Sequence, residues 1–414
     1  MRAVFLDRDG VINDGDLVHA PEQLILYENA ADAIKILDAL KMPVIVITNQ
    51  PVVARGLCDE EMVSKINQIM LNELSKKGAK IDAVYYCPHH PQREYGGNLA
   101  YRIECGCRKP GISMLEKAAK DFSLDLSKCF FIGDSMRDMK AAENAGCKKI
   151  LVKTGHAGSD AEFKTEPDFI CRDILEAAKS IKALANMKAL ILAGGLGKRM
   201  SAVTKEAIQK TMLPINGKPI LEHQIELLEK YGIENIILCT GHLSEQISEY
   251  FGDGKIFGVS IEYSHETEPL GTGGAIKNAE SLIDSAFIVL CGDIFLKMDI
   301  GKFIAFHVAH GGMATMLIHE TDHPQDSTIV QIDDMCRIKR IFNKNDEKPE
   351  GANLAKSSLY VLERAVLDMM PKGKHNFEDE ILPMLLSHGY ALYGYMTDEF
   401  IKDIGTPERY KRFS

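Results

Sequence analysis

MRAVFLDRDG (Met1–Gly10) is an apolar run that closes on charge and glycine. The same shape returns in KALILAGGLGKRM (Lys188–Met200), where the run closes on glycines. Each reads as a first strand feeding a phosphate-handling loop, so the chain starts twice. Its 414 residues exceed the size at which a single core keeps growing. Between the two beginnings, ILEAAKSIKALANM reads as a helix followed by a short join near Ala185–Met187. The expected domains are 1–180 and 188–414. No internal repeat or low-complexity segment interrupts them.

Strand and helix signals alternate in both parts. PVIVIT (Pro43–Thr48), DAVYYC (Asp82–Cys87), KCFFIGD (Lys128–Asp134) and KKILVKT (Lys148–Thr154) read as buried strands. DEEMVSKINQIMLNELSKKG reads as a helix with Met62, Ile66, Ile69 and Leu74 near one face. In the second part LILAGG, IENIILC, FGVSIEYS, AFIVLCGD and MATMLIHE read as strands. KPILEHQIELLEKYG reads as an amphipathic helix closed by a C-terminal glycine. The pattern predicts an α/β fold of two domains, each a mostly parallel sheet flanked by helices.

Bulk properties exclude several functions. The net charge is −10, with no basic block, which argues against binding the nucleic-acid backbone. No stretch approaches the roughly 18 to 20 apolar residues of a membrane span, and the charged start does not read as a signal peptide. Ten cysteines without a regular framework suit reduced thiols in the cytoplasm. Cys129, Cys147 and Cys239 lie in or beside apolar runs and read as packing residues.

In a parallel sheet, ligands bind beyond the carboxyl ends of the strands. That edge of the first part carries Asp7 and Asp9, Thr48 and Asn49, Lys109, and Asp134 and Asp138. One carboxylate can attack phosphorus while a second protonates the leaving oxygen and then activates water. A hard cation such as Mg²⁺ between carboxylates and phosphate would screen their repulsion. Lys109 would offset charge on the equatorial oxygens. Asp138 is equally explained by the dipole of a first helical turn.

A different signal lies in CPHHPQREYGGNLAYRIECGCRKP (Cys87–Pro110). The paired C-x-H and C-x-C spacing predicts a tetrahedral structural zinc site on Cys87, His89, Cys105 and Cys107, with His90 as the bystander. Four protein ligands leave no open position, so the zinc would fold the 87–107 loop and fix Arg108 and Lys109.

FLDRDGVIN, VITNQ, RKP and IGDSMRDM together resemble the four motifs of the haloacid dehalogenase-like phosphatases. The resemblance implies Asp7 as nucleophile, Asp9 as general acid and base, and Thr48 and Lys109 holding the phosphoryl group. It also implies Mg²⁺ on Asp7, Asp134 and the Asp9 carbonyl. The cysteine loop is similar to that of the heptose bisphosphate phosphatases and the related histidinol phosphatases. Asn49, Arg55 and Arg108 are then the candidate substrate contacts. Pro51, Val52 and Val53 depart from the small serine-glycine-isoleucine segment of such relatives.

In the second part, LILAGGLGKRM, Lys210 before MLPINGKPILEHQI, PLGTGGAI, VLCGD and FIKDIGTPERY resemble the sugar-1-phosphate nucleotidyltransferases as a set. The resemblance implies that Gly194, Gly195 and Gly197 wrap the base and triphosphate, with Arg199 on the phosphates. It places Lys210 at the transferred phosphate, Gly273 near base or sugar, Glu378 on a sugar hydroxyl, and Mg²⁺ on Asp293 and Asp403. The usual proline-lysine-proline reads Gln209-Lys210-Thr211, so the lysine is kept and its rigid flanks are lost. The family's glutamate-lysine pair falls at either Lys344 or Lys348, Lys356 stands near the expected asparagine, and Lys198 replaces a common threonine.

Both resemblances together imply an enzyme that dephosphorylates a heptose 1,7-bisphosphate and uses GTP to activate the heptose 1-phosphate. Two other readings stay open. One is a phosphatase of another sugar or polyol phosphate, such as histidinol phosphate, fused to a glucose- or mannose-1-phosphate nucleotidyltransferase. The other makes the second domain a non-catalytic binding module. Association of identical copies is equally open.

Overall fold

The computed structural model describes the chain apart from residues 93–96, 161–162, 206, 345 and 413–414, and apart from the side chain of residue 198. Gly96 of the cysteine loop and the Lys198 side chain therefore lie outside the described residues. The chain divides into two compact units, Met1–Lys182 and Ala183–Ser414.

The first unit is built on six parallel strands: β1 (Val4–Leu6), β2 (Val44–Asn49), β3 (Ala83–Cys87), β4 (Phe130–Gly133), β5 (Lys148–Val152) and β6 (Phe169–Cys171). Their order is β3-β2-β1-β4-β5-β6. Leu6 lies beside Val46 on one side and Ile132 on the other. The strand order reverses there, and such a switch point opens a crevice at the carboxyl ends. Helices α1 (Ala30–Ala39), α2 (Glu60–Lys76), α3 (Ser113–Phe122) and α4 (Met136–Ala145) connect the strands, and α5 (Ile174–Asn186) follows the sheet. Asp59 caps α2 by accepting from the Met62 amide at 2.8 Å. The buried face of α2 is Val63, Ile66, Asn67, Met70 and Leu74, which keeps the expected Ile66 and Leu74 and leaves Met62 and Ile69 at its margin. Strand β6 was not expected, because its three residues are too few to show a period.

The second unit holds β7 (Lys188–Leu192), β8 (Asn235–Thr240), β9 (Ser260–His265), β10 (Phe287–Cys291), β11 (Ile294–Lys297), β12 (Ala314–Glu320), β13 (Ile329–Ile332), β14 (Ile338–Phe342), β15 (Leu354–Leu362), β16 (Leu392–Met396) and β17 (Phe400–Asp403). The main sheet runs β9-β8-β7-β10-β15-β12-β16, with β13 on β15 and β14 on β13. The pairings among β9, β8, β7 and β10 are parallel, which repeats the switch point between β7 and β10. Strand β15 runs antiparallel to both β10 and β12, so this sheet is mixed rather than parallel throughout. A separate pair, β11 with β17, sets Ile294 opposite Asp403. Among the described residues, no helix is long and apolar enough to cross a membrane.

Candidate functional site

In the first unit the crevice collects the strand-end acids. Asp7 follows β1, and Asp134 follows β4. Asp138 sits in the first turn of α4, where it completes a capping box with Ser135. Asp7, Asp134 and Asp138 each bring an oxygen within 4.8 Å of the others, a set that can hold a cation. Lys109, 2% exposed, bridges two of them, with Nζ 2.8 Å from Asp7 and 2.6 Å from Asp138. Nζ also donates to the Ile47 carbonyl at 3.0 Å.

Electrostatics follow from this crowding. Burial, then the Asp138 charge, push Asp7 up to about 7. Burial, Asp138 and Asp7 push Asp134 up to about 8. Burial works against charge on Asp138 as well, but contact with Lys109 outweighs it and lowers its pKa. Lys109 is likewise opposed by burial, and its two acids raise it. A cation would displace the protons that Asp7 and Asp134 hold near neutrality. There is no room beside Asp134 for side chains: a Cβ on Gly10 or Gly155 would lie 2.2 Å from its Oδ2.

Asp9 is held differently. Arg8, fully buried, grips both of its oxygens at 2.9 and 3.1 Å, while Asn13 and Gln50 donate to it at 3.0 and 2.9 Å. Arg8 is itself fixed by Asn67 of α2 at 3.0 Å. Gln50 also donates to the Thr48 hydroxyl at 3.1 Å. Asn49 spends its side chain on Lys109, accepting from the backbone N–H at 2.9 Å and donating to the carbonyl at 3.2 Å. It clamps the lysine loop. Val52 and Val53 are buried with Val63, which absorbs the departure at Pro51–Val53 into a small apolar cluster.

Cys87, His89, Cys105 and Cys107 converge into a second cluster. The sulfurs stand 3.2, 3.2 and 3.6 Å apart, and His89 Nδ1 lies 3.4 Å from Cys107 and 3.7 Å from Cys87. A tetrahedral ion with bonds of about 2.3 Å to sulfur needs edges only slightly longer, so the donor set fits a metal. His90 stands outside the cluster. Burial and the charges of Arg108, Arg55, Arg102 and Arg137 drive it down to about 4. This cationic quarter adjoins the acids through Arg108, the residue before Lys109. Arg102 is buried and donates one bond to the Gln92 carbonyl, and its other two nitrogens find no partner among the described residues. Gly97 packs so closely against Ala54 and Arg55 that a Cβ there would meet the Ala54 carbonyl at 2.4 Å. The cysteine loop thus abuts the Arg55 segment.

In the second unit, Gly194, Gly195 and Gly197 follow β7 at its switch point. A Cβ on Gly194 would sit 2.7 Å from Glu266 Oε1, so a carboxylate backs the glycine turn. Burial raises the pKa of Glu266. Arg199 and Gly195 are exposed. Lys210 Nζ donates to Asp293 at 2.6 Å. The oxygens of Asp293 and Asp403 lie 2.7 and 2.9 Å from where a Cβ on Gly405 would be, so only glycine lets them approach. Arg409 donates to Asp403 at 2.8 Å.

The flanks of Lys210 are braced in another way. Gln209 and Thr211 are buried. The Gln209 amide donates to the Ala193 carbonyl, and its oxygen accepts from the Thr211 amide and hydroxyl. Hydrogen bonds replace the proline rings.

Gly273 lies in the first turn of α6 (Gly271–Asn278), where a Cβ would strike the His375 ring at 2.3 Å. Its neighbour Thr272 donates to Asn376 at 2.8 Å, which ties the glycine turn to the segment carrying Glu378. Lys356 of β15 pairs with Glu378 at 2.8 Å. Lys344 is exposed, and Lys348 donates to the carbonyls of Gln325 and Lys344 at 3.2 and 3.0 Å. Sequence reasoning missed Arg8, Gln50 and Glu266, whose partners are distant in the chain or lie within an unremarkable loop.

Comparisons with known proteins agree with this division. Residues 188–414 match a family model described as nucleotidyl transferase, and residues 106–177 match one described as HAD-hydrolase-like. Mannose-1-phosphate guanylyltransferase of Mycobacterium tuberculosis is 34% identical over 235 residues, covering 56% of this chain and 65% of that protein. The chain therefore spans just under two thirds of that relative. D-glycero-beta-D-manno-heptose-1,7-bisphosphate 7-phosphatase of Pasteurella multocida is 34% identical over 185 residues, 44% of this chain and 98% of its own. D-glycero-alpha-D-manno-heptose 1-phosphate guanylyltransferase of Aneurinibacillus thermoaerophilus is 31% identical over 229 residues, 55% of this chain and 96% of its own. With acids at one switch point and glycines, lysine and acids at the other, the chain belongs to the HAD-like hydrolases through its first unit and to the nucleotidyl transferase family through its second.

Proposed function

We propose that the first unit removes the 7-phosphate of D-glycero-α-D-manno-heptose 1,7-bisphosphate and that the second transfers GMP from GTP to the resulting heptose 1-phosphate. One observation carries this reading. A chain similar to nearly the whole of a heptose bisphosphate phosphatase continues into one similar to nearly the whole of a heptose 1-phosphate guanylyltransferase. The product of the first reaction is the acceptor of the second. The phosphatase relative is named for the β-anomer and the transferase relative for the α-anomer; the α-anomer is chosen because the transferase must accept the product.

In the first reaction Asp7 attacks the 7-phosphorus, and Asp9 gives its proton to the departing sugar oxygen. Asp9 then takes a proton from water, which attacks the aspartyl-phosphate and releases phosphate. Lys109, with Thr48, faces the equatorial oxygens. The arginines around His90, Arg55 and Arg108 among them, suit the phosphate that is kept. Asp7, Asp134 and the Asp9 carbonyl would hold Mg²⁺, with Asp138 beside them, which would supply charge neutralisation. In the second reaction a phosphate oxygen of the sugar attacks the α-phosphorus of GTP and pyrophosphate leaves. Gly194, Gly195 and Gly197 receive the nucleotide, Arg199 and Lys210 neutralise charge, and Asp293 and Asp403 would hold Mg²⁺. Gly273, Glu378 and the lysines Lys344 and Lys348 border the acceptor. All ten cysteines are unpaired, which suits the cytoplasm.

The test supplies the α- or β-bisphosphate with Mg²⁺ and, in separate reactions, GTP, ATP, CTP, UTP or dTTP, and resolves products by mass. GDP-heptose from the α-anomer is expected. Turnover of glucose 1-phosphate with UTP or dTTP, and no heptose product, would overturn the pathway.

The cysteine-histidine cluster is proposed to hold structural zinc. Metal analysis of washed protein should find one zinc per chain. Cys105→Ser should lose most of it and lower the first unit's melting temperature by roughly 10 °C, since ligand loss uncouples metal binding from folding. Zinc-free wild-type protein with an unchanged melting temperature would refute the assignment.

A further inference from the structure

The Lys356–Glu378 pair is an unusual investment for a fold. The lysine side chain is 5% exposed and the glutamate 25%. Burying two charges rarely adds stability over apolar packing, whereas positioning is a common reason to keep them. The bonds are also lopsided. Glu378 Oε1 accepts from Lys356 at 2.8 Å, Tyr360 at 2.6 Å and Ser358 at 2.9 Å. Lys356 also donates to the Tyr360 hydroxyl at 3.1 Å. Three donors are spent on one oxygen, and none of the bonds found among the described residues goes to Oε2.

The register places the donors that hold Oε1. Leu290 of β10 lies opposite Leu359 of β15. Ser358 therefore faces the carboxyl end of β10, and Lys356 stands just past it, on the edge from which Asp293 continues. Glu378 lies in the first positions of a π-helical turn, Phe377–Ile381, a geometry concentrated at functional sites. Asn376 caps that turn, and Thr272 bonds Asn376 and the Phe377 amide. The glutamate is thus anchored from the sheet and from the glycine turn. An ionised carboxylate oxygen accepts from hydroxyls and repels phosphate, so Oε2 suits the neutral, hydroxyl-bearing part of an acceptor.

We propose that Lys356 is a positioning residue for the acceptor sugar: with Tyr360 and Ser358 it pins Glu378 Oε1, so that Oε2 is presented to sugar hydroxyls. This rests on the transferase reading above. Lysine at a position where the resemblance leads one to expect asparagine thus acts through the carboxylate rather than on the sugar.

The test is steady-state kinetics of the full-length protein with D-glycero-α-D-manno-heptose 1-phosphate, mannose 1-phosphate as a second acceptor, and GTP. Lys356→Met should raise KM for the acceptor at least tenfold and leave KM for GTP and kcat within about twofold. Lys356→Arg should recover part of the loss. In a Glu378→Gln background, Lys356→Met should add little. If Lys356→Met does not fold, Lys356→Leu, which also removes the donor, is read the same way. Unchanged acceptor KM, equal losses for GTP and acceptor, or additive effects with Glu378→Gln would overturn the proposal while wild-type turnover keeps the transferase reading intact. A wild-type protein that uses neither acceptor would overturn that reading itself.

Discussion

Asp7→Asn is expected to cut phosphate release by at least about a thousandfold and to leave nucleotidyl transfer unchanged. The amide keeps the shape of the side chain but cannot attack phosphorus, and losing a nucleophile is among the largest single-residue effects known. The fold should not suffer. Lys109 keeps its 2.6 Å contact with Asp138. Asp7 is raised to about 7, so the folded state binds its proton more tightly than the unfolded chain does. Its ionisation therefore opposes folding, increasingly so as pH rises from about 4 to about 7, and fully above that. Without added cation, Asp7→Asn should melt no lower than wild type at pH 8, and that margin should disappear near pH 4. Phosphate release assayed beside a melting curve checks both. Normal release would move the nucleophile elsewhere.

Lys210→Ala should lower kcat for nucleotidyl transfer by about a hundred- to a thousandfold, the range seen when one preorganised charge-stabilising donor is removed, while phosphate release stays normal. Lys210 is held at Asp293 by a 2.6 Å bond at the mouth of the second switch point. Its side chain is only 18% exposed, so a melting curve run beside the assay separates lost catalysis from lost packing. Single-turnover transfer from GTP separates this from weaker nucleotide binding. An effect confined to KM would make Lys210 a binding residue only.

Much of this was readable in the sequence because it is local. Apolar β-branched runs that stop at acids, as in VFLD and FFIGD, announce both a buried parallel strand and the groups at its end. The cysteine pairs announce themselves by spacing. What stayed hidden depends on partners far along the chain. Nothing near Asp9 says that Arg8 turns back onto it or that Asn67, from a helix face read as apolar, holds that arginine. Nothing near Asn49 says that its side chain holds both backbone groups of Lys109. LAKSSLYVL is half polar because its lysine and serine serve Glu378, and that is why β15, which makes the second sheet mixed, did not read as a strand. The loop after Phe342 left its two lysines undecided, because the register reaches only Phe342, which lies beside Ala355 through Ile329.

The bonds around Gln209 carry a consequence for heat and time. A proline ring restricts the backbone in every state of the chain, folded or not. An amide bridge exists only while it is made, and it can open locally without unfolding the unit that contains it. The segment holding Lys210 should therefore open on its own, within the melting of the sheet. Nucleotidyl transfer is expected to fade reversibly on warming, below the melting temperature, and activity assayed beside a melting curve checks it.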